Sequence, residues 1–209
     1  MNIDALFETN VVMASVPDAP AINAALAPLL MRASQGAAAA PIAWHGPVPQ
    51  DAGVAEQQAI ARLTDHAIAL ARAYTERGEA AAPVPRWTAH IRMNVVRFGQ
   101  SPSEIAPAYD AYWTADYMVD DGYGGSPDRA LAGELILEDP RLPATMMELP
   151  DLRLRLSADP RGVFYDPQAA IRPTSGVMLL LPTWLRRHHR PLRTRQVRSW
   201  VSIALTPAR

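Results

Sequence analysis

Two stretches in the first third of the chain have the period of amphipathic helices. The first begins at Asp18 and Pro20, residue types typical of a helix start. Its apolar positions are Ile22, Leu26, Leu29 and Leu30. The second runs from Val54 to Arg77 and stops at Gly78, a residue that commonly ends helices. Its apolar positions, at spacings of three and four, are Ile60, Leu63, Ala67, Leu70 and Tyr74.

The pattern changes to alternation after residue 85. Residues 87–96 alternate apolar and polar side chains, which is typical of a strand with one buried face. An earlier apolar stretch, 10–14, also reads as a strand. Turn residues separate the further strands that we predict at 114–120, 132–138, 152–156, 162–165, 176–181 and 196–205. Short strands after a helical start predict a sandwich or barrel with helices packed outside. We expect one domain over 1–209, with a helical part at 1–85 and a β core at 86–209.

Composition excludes several classes of chemistry. The 209 residues contain no Cys, and all 20 basic residues are Arg. Thiolate chemistry, zinc fingers, a Walker lysine and pyridoxal Schiff bases are therefore ruled out. The net charge of -1 gives no reason to expect nucleic-acid binding. The longest apolar run, 177–181, is too short for a membrane span. With no basic segment at the N-terminus, we expect a cytoplasmic protein.

Charge is unevenly distributed along the β core. Residues 104–160 carry 12 acids and 4 arginines, whereas residues 167–209 carry 8 arginines and no acid. Either the two segments are neighbours that neutralise each other, or the arginines form a basic rim for an anionic ligand.

Several segments in the second half together resemble one enzyme family. In chain order they are 117–122 (YMVDDG), 133–141 (GELILEDPR), 176–185 (GVMLLLPTWL), 190–191 (RP) and 202–205 (SIAL). They resemble the 2-oxoglutarate/Fe(II) oxygenases related to prolyl hydroxylases, and segments 6–12 and 87–99 fit the beginning of that family. The resemblance implies an α+β, mainly β fold: a double-stranded β-helix, which is a cupin-like jelly roll, with N-terminal flanking helices.

The resemblance also implies an altered cofactor site. Such enzymes bind Fe(II) through two His and one carboxylate, and a late cation holds 2-oxoglutarate. The first ligand pair falls on Ala106 and Ala108, the distal His on Arg187, and the anchoring cation on Trp200. We therefore expect a degenerate member without Fe(II) or 2-oxoglutarate. Arg187 would place a guanidinium in the pocket, suited to an anion such as a carboxylate.

Other residues offer alternatives to this interpretation. A one-residue bulge would bring His188 into the distal position, and Asp110 with a third ligand such as His90 would complete an unorthodox metal site. The competing interpretation puts His188 and His189 on a basic loop. Arg198 lies two residues before Trp200, so it either replaces the anchor or is a surface arginine paired with an acid.

Two further groups are candidates for ligand contacts. His90, Arg92 and Asn94 share one face of the early strand, which either walls a pocket or is an exposed edge. Tyr112 and Trp113 belong to an aromatic cluster that either contacts a ligand or covers the barrel. His45 and His66 are expected to lie in a loop and on a partly exposed helix face, respectively.

These observations favour a non-enzymatic binding or accessory protein, with a role in a biosynthetic pathway suggested by analogy alone. Its expected partners are a peptide, an anionic small molecule or a pathway enzyme, and a homodimer is compatible with exposed sheet edges. One alternative is an active Fe(II)/2-oxoglutarate hydroxylase with displaced metal ligands. Another is a metal-free enzyme that uses His188, His189 or Asp110 as acid or base.

Overall fold

A computed structural model describes residues 9–35, 43–75, 86–97, 110–139, 166, 168–194 and 196–208. These residues form two helices, α1 (Ala19–Gln35) and α2 (Val54–Ala73), and a short 3-10 turn at Arg129–Leu131. The strands are β1 Val12–Ser15, β2 Ala43–Gly46, β3 Trp87–Val96, β4 Trp113–Asp120, β5 Leu135–Glu138, β6 Gln168–Ile171, β7 Val177–Pro182, β8 Arg187–His189 and β9 Arg198–Pro207. No helix in this part of the chain is long and apolar enough to cross a membrane.

The strands form two antiparallel sheets. The larger sheet has the order β1-β7-β4-β9-β3-β2, and the smaller has the order β6-β5-β8. Leucines of β5 pack against leucines of β7, which joins one face of the large sheet to the small sheet. The polar residues discussed below lie in this space between the sheets.

The two helices cover the opposite face of the large sheet. Leu26, Leu29 and Leu63 share one apolar core with alternate residues of the central strands, such as Ala115 and Tyr117. Tyr117 also donates a hydrogen bond from its hydroxyl to Asn23 Oδ1 of α1, at 2.6 Å. Strand β4 lies between the helices and the small sheet, so residues on both of its faces are buried. Alternation then dictates that Asp116 and Met118 point toward the small sheet.

The sequence predictions for the main elements are confirmed, with differences at their ends. The predicted strand 132–138 begins only at Leu135, because Ala132 and Gly133 have φ of 52° and 84°, which extended backbone does not allow. Helix α2 ends at Ala73, and the predicted stop at Gly78 lies outside the described residues. The predicted strands 152–156 and 162–165 also lie outside them.

Three short strands were missed or misplaced. His45 is in β2, an edge strand paired with β3, and not in a loop. His188 and His189 are in β8, paired with β5, so the expectation of a basic loop is wrong. Strand β6 was not predicted because its exposed sequence, QAAI, has no apolar alternation. Each of these strands has three or four residues, so pairing with a longer neighbour defines it more than its own pattern does.

Candidate functional site

A buried ion pair links the two sheets across the space between them, which forms the interior of the barrel. Arg187 Nε of β8 lies 3.5 Å from Asp116 Oδ2 of β4, and the two side chains are 3% and 7% exposed. Taking both charges out of water is costly, so each depends on the other for compensation. The guanidinium is therefore directed at a carboxylate of the chain itself.

A row of polar side chains continues from this pair across the large sheet. Ser202 Oγ donates to the other oxygen of Asp116, Oδ1, at 2.6 Å. Asn94 Nδ2 donates to Ser202 Oγ at 3.1 Å, and His45 Nδ1 lies 2.7 Å from Asn94 Oδ1. An amide oxygen can only accept, so His45 donates from Nδ1. The row runs from the exposed imidazole of His45 to the buried Asp116 carboxylate.

The indole of Trp200 fills the interior beside this row. Trp200 is 1% exposed, and its ring centroid lies 5.3 Å from that of His189 and 6.2 Å from that of His45. Its Nε1–H is buried and, within the described part of the chain, has no hydrogen-bond acceptor. Trp200, Asp116 and His189 line a cavity of about 10 Å³, which is about the room that one water needs.

A second buried arginine, Arg198, organises the turn that precedes β5. Its Nε donates to Asp121 O at 2.9 Å, and its Nη1 donates to Gly133 O. The guanidinium also lies 5.0 Å from the ring centroid of Tyr123. Burial lowers the pKa of Arg198, opposed by nearby groups that include Tyr123. The interpretation of Arg198 as a surface arginine paired with an acid is therefore wrong, because backbone carbonyls hold it in the interior.

His189 lies between the two arginines. Burial, together with the positive charges of Arg198 and Arg187, lowers its pKa to about 3. The imidazole is therefore neutral near pH 7 and adds no charge to the cavity. Its Nδ1 is 3.5 Å from Arg198 Nη1.

The predicted metal-site residues do not come together. His188 points away from the interior, on the opposite face of β8 from Arg187 and His189, and its Nδ1 lies 3.4 Å from Glu138 Oε1. His90 is exposed on β3, and Asp110 is exposed in the turn before β4. Among the described residues, no group of three or more His, Asp or Glu is placed to hold a metal ion.

The remaining predicted contact residues divide between the interior and the surface. Arg187, Trp200 and Asn94 meet in the interior, whereas Arg92 of β3 is exposed. Tyr112 is 54% exposed. Trp113 faces the helices, where its Nε1 donates to Thr75 Oγ1 at 2.8 Å.

Sequence reasoning missed Asp116 and Ser202 as interior residues, and it named His189 only as a candidate acid or base. The signal for Asp116 was present, because it is a single charge inside an otherwise apolar strand, WTADYMV. A charge in such a strand must find a partner. The basic segment supplies such partners for the acidic segment. Arg187 lies within 4 Å of Asp116, His188 within 4 Å of Glu138, and Arg190 within 4 Å of Glu134.

The described residues do not fit Fe(II) and 2-oxoglutarate. At the position that the resemblance gives to the distal iron ligand stands a guanidinium, which would repel a metal cation and is already paired. At the anchor position stands an indole, which supplies no charge for a carboxylate. Ala106 and Ala108 lie outside the described residues.

No protein-family model and no curated protein sequence matches the chain. Solved structures do match over nearly its whole length. A prolyl-4-hydroxylase from Pseudomonas putida is 12% identical, with a TM-score of 0.58, covering 96% of this chain and 94% of its own. The viral collagen prolyl hydroxylase vCPH of Paramecium bursaria Chlorella virus-1, in complex with 2-oxoglutarate, is 6% identical, with a TM-score of 0.59 and coverage of 95% and 96%.

HygX from Streptomyces hygroscopicus, solved with nickel and 2-oxoglutarate bound, is 13% identical. Its TM-score is 0.58, and the match covers 96% of this chain and 84% of HygX. At such low identity the agreement concerns the fold, and it confirms the architecture that the sequence resemblance predicts. The chain therefore has the double-stranded β-helix fold of the prolyl-hydroxylase-like 2-oxoglutarate/Fe(II) oxygenases.

Proposed function

We propose that this chain is a non-enzymatic binding or accessory protein built on an oxygenase-type barrel. The observation that carries the proposal is the identity of two residues in the interior. A buried, ion-paired Arg187 and a buried Trp200 stand where the resemblance puts the distal iron ligand and the 2-oxoglutarate anchor.

The energetics of these two residues support the proposal. Metal binding near Arg187 would require that the guanidinium leave Asp116, and a buried guanidinium without its carboxylate is costly. Binding of 2-oxoglutarate would require that the Trp200 indole leave a core in which it is 1% exposed. Burying an aromatic side chain of this size stabilises the fold, so its displacement opposes the binding of a cofactor.

The first test is a titration of the purified chain with Mn(II) or Fe(II) and 2-oxoglutarate under anaerobic conditions. The readouts are the melting temperature, the heat of binding, and the decarboxylation of 2-oxoglutarate after oxygen is admitted. The P. putida prolyl-4-hydroxylase, run in parallel, shows that the reagents work. We expect no saturable binding at millimolar concentrations and no decarboxylation. Metal-dependent binding of 2-oxoglutarate with a rise in melting temperature would refute the proposal in favour of a hydroxylase with displaced ligands.

Two variants make this test sharper. Arg187→His removes the guanidinium and supplies an imidazole at the same position, whereas His188→Ala removes the half-exposed imidazole paired with Glu138. If the wild type binds a metal and His188→Ala abolishes that binding, a displaced site exists and the proposal fails. If only Arg187→His gains metal affinity, the guanidinium is what excludes the metal, as proposed.

A further inference from the structure

Three basic side chains lie together on the part of the large sheet that the small sheet leaves open. His90 and Arg92 of β3 share one face of that strand with Asn94, and both are exposed. His45 of the edge strand β2 is also exposed, and it is the register partner of Asn94. We call His45, His90 and Arg92 the basic strip. The inference drawn from it rests on the proposed function, namely that the chain acts by binding a partner.

The charge of the basic strip is not compensated. Opposite His90 and Arg92, strand β9 presents only uncharged side chains. The strand beyond it, β4, presents the carboxylate of Asp116, which is buried and already paired with Arg187. In the part of the chain that the structure describes, no acid forms an ion pair with the basic strip. The strip therefore attracts negatively charged partners.

The polar row of the interior fixes the orientation of the His45 ring. The Asp116 carboxylate accepts a hydrogen bond from Ser202 Oγ, so Ser202 accepts from Asn94 Nδ2, and Asn94 Oδ1 then accepts from His45 Nδ1. The Nε2 atom of His45 has no hydrogen-bond partner among the described residues. It can take a proton and donate to an anion without breaking the row behind it.

The spacing of the basic strip favours an extended partner. Residues 90, 92 and 94 follow one another on the same face of β3 about every 7 Å, and His45 lies at the level of Asn94. The three basic groups thus span about 14 Å along the strand, which is more than a single carboxylate can bridge. Alternate side chains of an extended peptide have the same spacing of about 7 Å. Carboxylates at every second residue would therefore match the strip level by level.

Short side chains leave space for a peptide beside the strip. On the same face of the sheet, the neighbouring positions of β9 are Ser202, Ala204 and Thr206, all half-buried. Arginine and histidine side chains reach farther from the sheet than these three residues do. A peptide backbone can therefore lie over β9 with its carboxylates directed at β3 and β2.

From these features we infer that the basic strip binds an acidic segment of another protein in extended conformation, with Asp or Glu at alternate positions. Arg92 forms the central ion pair, and His45 and His90 donate hydrogen bonds to the carboxylates on either side of it.

The test is an NMR titration of the full chain with three capped peptides at low salt. Glu-Thr-Glu-Thr-Glu has alternating carboxylates, Glu-Glu-Glu-Thr-Thr has the same composition in another order, and Gln-Thr-Gln-Thr-Gln is neutral. The chain has five histidines, and single His→Gln variants assign their ring signals.

We expect the alternating peptide, at millimolar concentrations, to shift the ring signals of His45 and His90 saturably and to leave those of His66 and His188 unchanged. The rearranged peptide should bind at least about threefold more weakly, and the neutral peptide should not bind. Equal binding of the rearranged peptide, binding of the neutral peptide, or no saturable shift would overturn the inference. A thymidine oligonucleotide that bound more tightly than the alternating peptide would assign the strip to nucleic acid and overturn it as well.

Variants show where the peptide binds. Arg92→Gln removes the central charge and should weaken binding by about threefold to fivefold, the effect of one exposed ion pair. Arg72→Gln is the matched control, because it removes an exposed arginine of α2, on the opposite face of the large sheet, and it should bind as the wild type does. Wild-type binding by Arg92→Gln, or an equal loss in Arg72→Gln, would refute the site.

The two proposals fail in distinguishable ways. Metal-dependent binding of 2-oxoglutarate would overturn the proposed function whatever the peptides do. Absence of both 2-oxoglutarate and peptide binding would overturn this inference alone and leave the non-enzymatic role standing.

Discussion

Neutral His189 makes the stability of the barrel depend on pH in a predictable direction. Burial lowers its pKa to about 3 in the folded chain, from the ordinary value of 6.5. The charged groups facing it are Arg198 of β9 and Arg187 of its own strand, both of which oppose its protonation. Below pH 6.5 the unfolded chain therefore binds a proton that the folded chain refuses until about pH 3.

The size of the effect follows from the difference between the two pKa values. The contribution of His189 to stability is complete above pH 6.5 and falls by about 1.4 kcal/mol for each pH unit below it. At pH 5 the expected loss is about 2 kcal/mol, a large part of the stability of a typical domain.

The assay is urea unfolding at pH 7.5, 6 and 5 for the wild type and for His189→Gln, which cannot titrate. Carboxylates titrate in both proteins, so the difference between their pH profiles reports His189 alone. His188→Gln is the matched control on the outer face of the same strand, and it should keep the wild-type profile because His189 is intact. If the wild type and His189→Gln lose the same stability between pH 7.5 and 5, His189 is not held neutral and the reasoning is refuted.

Three further predictions concern the interior and its supports. Arg187→Met should lower the free energy of unfolding by about 3–5 kcal/mol, because it leaves the buried Asp116 carboxylate without its cation. Adding Asp116→Leu should recover most of that loss. In a urea double-mutant cycle, additive losses would contradict the pairing. Burial raises the pKa of Tyr117 to about 12, so in an alkaline absorbance titration Tyr117→Phe should remove a phenol that ionises near pH 12. An unchanged absorbance change in that pH range would contradict this. Gly133→Ala should lower the melting temperature more than Gly125→Ala: both have positive φ, but only at Gly133 would a Cβ lie 2.6 and 2.8 Å from buried side chains. Equal decreases in melting temperature would show that backbone strain alone destabilises the two variants.

The sequence predicts the fold well where a long element has its own periodic signal. Helices α1 and α2 and the long strands β3, β4 and β9 appear close to their predicted positions, because their apolar faces meet large apolar surfaces. The short strands β2, β6 and β8 have no such signal, and neighbouring strands define them. Local pattern could not supply that information.

The site was predictable in part, for a related reason. The family resemblance assigned Arg187 and Trp200 to the positions of the distal ligand and the anchor, and both residues are buried in the structure. The partner of Arg187 could not be found in the same way, because Asp116 is 71 positions away in the chain. Only the antiparallel pairing of β4 with β7 and β9, and of β5 with β8, brings the two charges to 3.5 Å.

The interior polar groups also explain how the two sheets of this barrel are held in register. Leucines of β5 and β7 supply most of the apolar contact between the sheets, but such contact is non-directional and tolerates sliding. The ion pair between Asp116 of the large sheet and Arg187 of the small sheet forms only when both side chains face the space between the sheets. A slip of β8 by one residue would turn Arg187 outward and bring His188 inward, leaving the Asp116 carboxylate buried without its cation. The cost of that error is much larger than the cost of misplacing an apolar side chain. The charge inside this barrel therefore specifies strand register, which requires no bound cofactor.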